Sequence, residues 1–204
     1  MRRFFEIVPA LAAWLTLGGL VVASWLLPGA VVVFIVLYDL YWLLKVCYLF
    51  SHLVVSFREL QRNVADDWVA RLTAEYGGRW EAVHHLVIFP FYRESEAVIR
   101  ESVRALAASS YPSERLLVAL AAEERGGATD AAHALAVRGE FASRFGGFLI
   151  TTHPAGVPGE LPGKGSNETW AAREAVRELI DARGISHENV LVSVFDMDTR
   201  VAPG

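Results

Sequence analysis

This sequence predicts a parallel α/β sheet carried behind a pair of membrane-spanning helices. Three observations point to it. Two long apolar stretches open the chain, short uninterrupted apolar runs then alternate with amphipathic segments, and polar residues gather where those runs end. Composition sets the frame. The 204 residues are 53% hydrophobic and 21% charged, which excludes a disordered chain because there is ample apolar surface to bury. Mean hydropathy is +0.32, high for an ordinary soluble domain. Net charge is −4 and the isoelectric point is near 5.9, so the basic footprint of a nucleic-acid binder is missing and no such partner is expected. Cys47 is the single cysteine, which excludes an internal disulfide and a multi-cysteine zinc site.

The apolar excess lies at the start. Ile7–Leu27 carries no formally charged residue, and Ala30–Phe50 is nearly as apolar. At about 1.5 Å per residue each is long enough, as a helix, to cross a hydrocarbon core of about 30 Å. The turn pair Pro28-Gly29 separates them, so residues 1–50 are expected to form a transmembrane hairpin with spans at 7–27 and 30–50. A cleaved leader followed by a buried helix is the competing reading. Ala23-Ser24 fits a cleavage site weakly, but the second apolar stretch follows at once. Arg2 and Arg3 precede the first span, Arg58 and Arg62 follow the second, and the turn has no basic residue. Both ends are therefore expected in the cytoplasm, in a multi-pass protein of the inner (plasma) membrane with membrane lipid as a partner. Lys45 lies near the cytoplasmic end and can snorkel. Asp39 sits near the bilayer centre, either protonated or facing another helix or a polar path.

Ser51–Tyr76 repeats apolar residues at spacings of three and four, from Leu53 and Val54 to Val69 and Leu72. It reads as a connecting interfacial helix within residues 51–77, stopped by Gly77-Gly78. Residues 78–204 then alternate. Leu86–Pro90 is a short buried strand. Glu94–Ser109 is an amphipathic helix with Val98, Val103 and Leu106 toward the core, stopped by Tyr111-Pro112. Leu116–Leu120 is the second strand. Thr129 or Asp130 caps a helix reaching about Phe145. Phe148–Thr151 is the third strand, and the proline- and glycine-rich His153–Gly163 is a loop. Ser166 or Asn167 opens a helix to about Arg183, stopped by Gly184. Val190–Phe195 is the fourth strand. Uninterrupted apolar strands between helices indicate a mostly parallel sheet with flanking helices, and such sheets bind ligands at their carboxyl ends. Tyr92 and Glu94, Glu123 and Glu124, and Asp196 and Asp198 all fall at such ends.

Several motifs fail. A phosphate-binding loop built on Gly163-Lys164 needs glycine where Pro158 stands and a hydroxyl residue where Gly165 stands. No GxGxxG follows the first strand. His84 and His85 are adjacent and point to opposite strand faces, which suits strand entry better than metal binding. Asp196-Met197-Asp198 survives. Two carboxylates at i and i+2 after an apolar strand can approach one hard cation, and Mg²⁺ or Mn²⁺ takes one or two carboxylates plus substrate phosphates.

With that motif in place, residues 85–204 resemble the family 2 glycosyltransferases, in particular the membrane-bound synthase-like members. Phe89-Pro90-Phe91-Tyr92-Arg93-Glu94 is similar to the family's Pro-x-Tyr-Asn-Glu opening. Glu101-Ser102-Val103 and Tyr111-Pro112 are similar to its Glu-Ser-Leu and Tyr-Pro helix. Gly163-Lys164-Gly165-Ser166-Asn167 looks like its Lys-Ala-Gly-Asn segment, and Asp196-Met197-Asp198 matches its Asp-x-Asp.

The resemblance implies a partial GT-A, Rossmann-like fold that transfers a sugar from a nucleotide diphosphate sugar, UDP-sugar favoured, to a glycan or lipid acceptor. It implies that Pro90, Tyr92 and Glu94 line the nucleotide pocket and that Glu123 or Glu124 stands near the base. Lys164 and Asn167 approach the donor, and Asp196 and Asp198 hold Mg²⁺ or Mn²⁺ on the diphosphate. Arg93 replaces the usual asparagine, and Ala121-Ala122-Glu123-Glu124-Arg125 replaces Asp-Asp-Gly-Ser. The family's catalytic base and Gln-x-x-Arg-Trp motif lie downstream of Asp-x-Asp and have no candidate here. Residues 78–204 are accordingly expected to be the donor-binding half of the domain. Two alternatives stand beside this one. One is a truncated, non-catalytic membrane-anchored interaction module. The other is an Asp-x-Asp phosphohydrolase of the haloacid-dehalogenase type, whose pattern wants Thr or Val where Arg200 stands.

Overall fold

The computed structural model describes residues 2–202. The chain divides into two compact units, Met1–Asn63 and Val64–Gly204.

The first unit is helical. α1 spans Arg2–Leu26 and α2 spans Pro28–Ala65, with Leu27 alone between them. Pro28 opens α2, where a missing N–H costs nothing and the fixed φ suits a helix. Both helices are long and apolar enough to cross a membrane, and the apolar window of each has no buried residue. Lys45 folds back along its own helix, its Nζ donating to the Tyr41 hydroxyl at 3.3 Å. Asp39 is exposed.

The expected helix break after residue 50 is not there. Ser51 turns its Oγ onto the Cys47 carbonyl at 2.9 Å, and no proline or glycine interrupts, so α2 runs on to Ala65. The break comes at Asp66-Asp67, where the Asp67 carboxylate accepts from the Ala70 amide at 2.9 Å and caps α3, Trp68–Tyr76. The connecting segment is thus the end of one helix plus a second short one.

In the second unit four strands form one wholly parallel sheet: β1 (His84–Phe91), β2 (Leu116–Glu123), β3 (Gly147–His153) and β4 (Val190–Val194), in the order β3-β2-β1-β4. The helices are α4 (Glu96–Ala107), α5 (Gly127–Phe141) and α6 (Lys164–Ala175). The two-residue repeat of β1 sorts its side chains. Val87, Phe89 and Phe91 face α4 and α5, packing with Ile99, Val103, Leu106, Val137 and Phe141. Leu86 and Ile88 face α6, where the methyl side chains of Ala171 and Ala175 let the helix backbone lie close. Each such fully buried large side chain contributes roughly 1.5–3 kcal/mol. β4 closes one edge, and Leu191, Val192 and Val194 remain exposed on it.

Several element boundaries differ from expectation. α4 begins at Glu96, not Glu94, because Ser95 caps it, its Oγ accepting from the Val98 amide, and Glu94 stays in the loop after β1. α5 begins at Gly127 with no side-chain cap, because Asp130 is drawn elsewhere. The last helix starts at Lys164 and ends in a π-turn over Val176–Ile180 and a 3₁₀ turn over Asp181–Arg183, with Gly184 left-handed at φ 66°. β1 begins two residues early, which brings His85 beside β4, its Nε2 at 2.8 Å from Ser193 Oγ. Burial lowers the His85 pKa below its ordinary value. The unfolded chain therefore takes up that proton more readily than the folded one. Its contribution to stability is whole above the ordinary histidine value of about 6.5 and declines as pH falls below it. His85→Gln is expected to flatten the fall in melting temperature between about pH 7 and 5, read by circular dichroism.

Candidate functional site

From β1 the chain steps outward to β2 and β3, then returns to lay β4 on the opposite side of β1. Where strand order reverses, the loops leaving neighbouring strands part, and a crevice opens at their carboxyl ends. A cleft of about 360 Å³ lies at this point, within the range of small-molecule sites. β1 and the loop after it supply Pro90, Phe91, Tyr92 and Glu94, and β2 supplies Glu123. Lys164 and Asn167 come from the start of α6, and Asp196, Met197 and Asp198 from the turn beyond β4.

That turn is held from several sides. The Phe195 amide donates to the Ile88 carbonyl at 3.1 Å, one bond past β4, and the Thr199 amide closes onto the Asp196 carbonyl at 2.9 Å. Met197 is 4% exposed and packs into the core, so its two neighbours turn the other way and both line the cleft. Ser102 of α4, itself buried, donates from Oγ to the Met197 carbonyl at 2.5 Å. Glu101 beside it pairs with Arg200. α4 thus grips the turn on either side of Asp198. Ser102→Ala is expected to cost about 1 kcal/mol. It should also quicken deuterium exchange at the Thr199 amide, measured by mass spectrometry. Unchanged exchange there would remove Ser102 from this role.

Lys164 pairs with Asp196 and lies 3.7 Å from Glu168 Oε1. The hydrogen bond to Asp196 raises the Lys164 pKa above its ordinary value, so the ammonium is charged at neutral pH. No side chain caps α6. The first-turn amides of Lys164, Gly165 and Ser166 have no intrahelical acceptor and favour negative charge. Asn167 ties this helix end to the sheet, its Nδ2 donating to the Ala121 carbonyl at 2.8 Å, while its buried Oδ1 has no partner among the described residues.

The opposite wall is set by α5. Arg93 is left-handed at φ 58°, a conformation that non-glycine residues seldom adopt. Two bonds hold it there. Its amide donates to Asp130 Oδ2 at 2.9 Å, and His133 Nδ1 lies 3.1 Å from the Glu94 carbonyl. Asp130 is 2% exposed, and a Cβ at Gly126 would fall 1.8 Å from its Oδ2, so the position needs glycine. The guanidinium carbons of Arg93 and Arg125 lie 5.0 Å and 4.9 Å from the Tyr92 ring centroid.

Glu123 and Glu124 part company. Glu123, 7% exposed, lines the cleft and receives Arg125 Nε at 2.8 Å. Glu124 turns away, accepting from the Ala155 amide at 2.7 Å and anchoring the loop before α6. The structure therefore brings Pro90, Tyr92, Glu94, Glu123, Lys164, Asn167, Asp196 and Asp198 together and leaves Glu124 out. Asp130, which shapes the site from behind, reads in sequence as a helix cap and gives no sign of its long-range bond.

Among the described residues no three His, Cys, Asp or Glu side chains converge as a metal cage. Asp196 and Asp198 form part of a shell at most. The chain matches no family model, no curated protein and no solved structure.

Proposed function

We propose that this cleft binds a nucleotide diphosphate sugar, and that the chain is the donor-binding part of a membrane-anchored glycosyltransferase of the family 2, GT-A type. One observation carries the reading. Residues drawn from the opening after β1, the end of β2, the start of α6 and the Asp-x-Asp turn line a single cleft, although they are far apart in the chain.

Each has a physical role in holding such a donor. Lys164 is a charged point donor suited to a diphosphate. The uncapped α6 terminus adds amides that favour the same anion. Tyr92 offers an aromatic face at the cleft wall, and Glu94 and Glu123 offer acceptors for hydroxyl or base donors. The two aspartates fit a hard cation, since their carboxylates line the open side of the turn and leave positions for phosphate oxygens and water. Mg²⁺ or Mn²⁺ bound there supplies positive charge to the diphosphate as it leaves. α1 and α2 serve as the anchor, forming the hairpin, and the basic residues near their ends favour a cytoplasmic sheet domain. The family resemblance implies an acceptor that is a glycan or a lipid. Calorimetry on the full chain in detergent, with UDP and GDP in Mn²⁺ against EDTA, tests the reading. Binding tightened by metal is expected, and no binding of either nucleotide in either condition would overturn it.

A further inference from the structure

We infer that α2 is a self-association surface: two copies of this chain pack their α2 helices side by side in the membrane, with Asp39 of each facing Lys45 of the other. The inference goes beyond the transferase reading and needs only that α2 spans a membrane.

Asp39 lies at the middle of the apolar stretch Ala30–Phe50, and Lys45 follows less than two turns later. Asp39 is exposed and makes no hydrogen bond or ion pair among the described residues. Lys45 does not reach for the cytoplasmic end, as a snorkelling lysine would. Its Nζ donates to the Tyr41 hydroxyl at 3.3 Å and lies 5.6 Å and 5.9 Å from the centroids of the Tyr41 and Trp42 rings, back toward the level of Asp39. Ionisable groups at this depth are costly, and they pair with one another or face the interior of a helix bundle. The chain's own membrane segments do not supply that pairing. Six residues at about 100° each place Asp39 and Lys45 about 120° apart around the helix, with Trp42 between them, so they do not face each other. α1 has no counter-charge to offer, since Ile7–Leu27 holds no charged residue. Its Thr16 and Ser24 hydroxyls are turned onto their own helix, at the Ala12 and Val21 carbonyls. Neither apolar window has a residue buried by the rest of the described chain.

A second copy supplies both charges. Copies inserted by the same rules run parallel through the bilayer, so equal positions lie at equal depth. The rise from residue 39 to residue 45 is about 9 Å, and the backward lean of the lysine side chain takes up much of it. A two-fold axis along the membrane normal makes the surface self-complementary. With Trp42 at the seam, Asp39 flanks it on one side and Lys45 on the other. The two-fold then sets each Asp39 opposite the partner copy's lysine, and both ion pairs form at once. Ile35, Tyr38 and Leu49 continue the seam at heptad spacing from Trp42, and all four side chains are about half exposed along α2. The Tyr38 and Trp42 rings meet edge to face at 6.2 Å, which stiffens the centre of that seam. A different protein would have to bring an acid and a base at matching depths, whereas this helix already carries the complement of its own charges.

The experiment mixes donor- and acceptor-labelled full chains in phosphatidylcholine vesicles and follows energy transfer as the protein is diluted with lipid. Wild type is expected to associate. Asp39→Asn and Lys45→Met should each weaken association about tenfold, since each removes both pairs of the dimer. The double substitution should lose no more than about threefold beyond either single one, because no pair is left to break. Asp39→Lys and Lys45→Asp should each fail to associate alone and associate when mixed, as mixing restores both pairs with the charges exchanged. If those reversals do not enter the membrane, the neutral variants decide alone. Wild-type energy transfer no higher than that of freely mixed monomers overturns the inference. So does full association in either neutral variant, a double substitution whose losses add, or inserted reversal variants that stay apart when mixed. Release of the wild-type chain from membranes by alkaline carbonate overturns the span, and the inference with it. None of these readouts involves nucleotide, so each failure leaves the transferase reading to its own calorimetry.

Discussion

Asp198→Asn is expected to weaken nucleoside diphosphate binding on the order of 100-fold in Mn²⁺, about 2.7 kcal/mol, and hardly at all in EDTA. The substitution keeps the shape and removes the charge. In the absence of a cation that charge faces the phosphates and opposes them, so the loss should appear only with metal present. Asp198 is the cleaner test of the two aspartates, because Asp196 also holds Lys164 and its removal would free the ammonium. Lys164→Ala provides the contrast. A point charge acts on phosphate directly, so affinity should fall with and without metal. Equal losses for Asp198→Asn in Mn²⁺ and EDTA would remove the metal role and return Asp196-Met197-Asp198 to a structural turn.

Gly146→Ala should destabilise the fold by about 3 kcal/mol or more, well above the median for a single substitution. A Cβ at this position would sit 2.0 Å from the Glu114 carbonyl oxygen and 2.8 Å from its carbon. Both are backbone atoms. They cannot rotate aside as a side chain would, and the Gly146 amide is already committed to the Ser113 carbonyl at 2.9 Å. Relief therefore means moving the entry to β2 or to β3, with the sheet bonds that follow. Urea unfolding measures the effect. Gly139, inside α5 with open space around its missing Cβ, is the control: alanine there should gain about 0.5–1 kcal/mol. A loss under about 1 kcal/mol at Gly146 would show that the strand entry yields easily.

The strands were legible because each apolar run stops at polar residues, and the cleft was legible because those stops are where ligands sit in a parallel sheet. The two aspartates could be named from their spacing after a strand, and Lys164 from the resemblance carried by Gly163–Asn167. The choice between Glu123 and Glu124 could not. It depends on β2 continuing to Glu123, after which successive side chains turn opposite ways. The length of α2 was hidden as well. The Ser51 hydroxyl bonds back within the helix, so the span and the connecting segment run on as one, and the real stop at Asp67 depends on a cap. Asp130 shows the limit most clearly. A helix-capping residue type in a capping context spends its carboxylate on Arg93, on another element, and no local pattern announces that. The tail of α6 passes into a π-turn that buries Leu179 and Ile180 against the sheet, and the expected helix to Arg183 carries no mark of the change.

The pairing of β1 with β4 has a consequence for synthesis. His84 lies beside Val190, so β1, an inner strand, waits for a segment far downstream in the chain before its second edge is covered. At translation rates of about 5–20 residues per second, that wait lasts several seconds. Through it β1, with Leu86 to Phe89 destined for complete burial, offers an open and uncharged edge of the kind that pairs with other chains. The same delay holds for the cleft, which lacks its aspartates until β4 docks. A nascent chain stalled before Val190 would therefore be sticky and its cleft incomplete, and the moment of greatest need for a chaperone falls between the emergence of the third strand and the fourth.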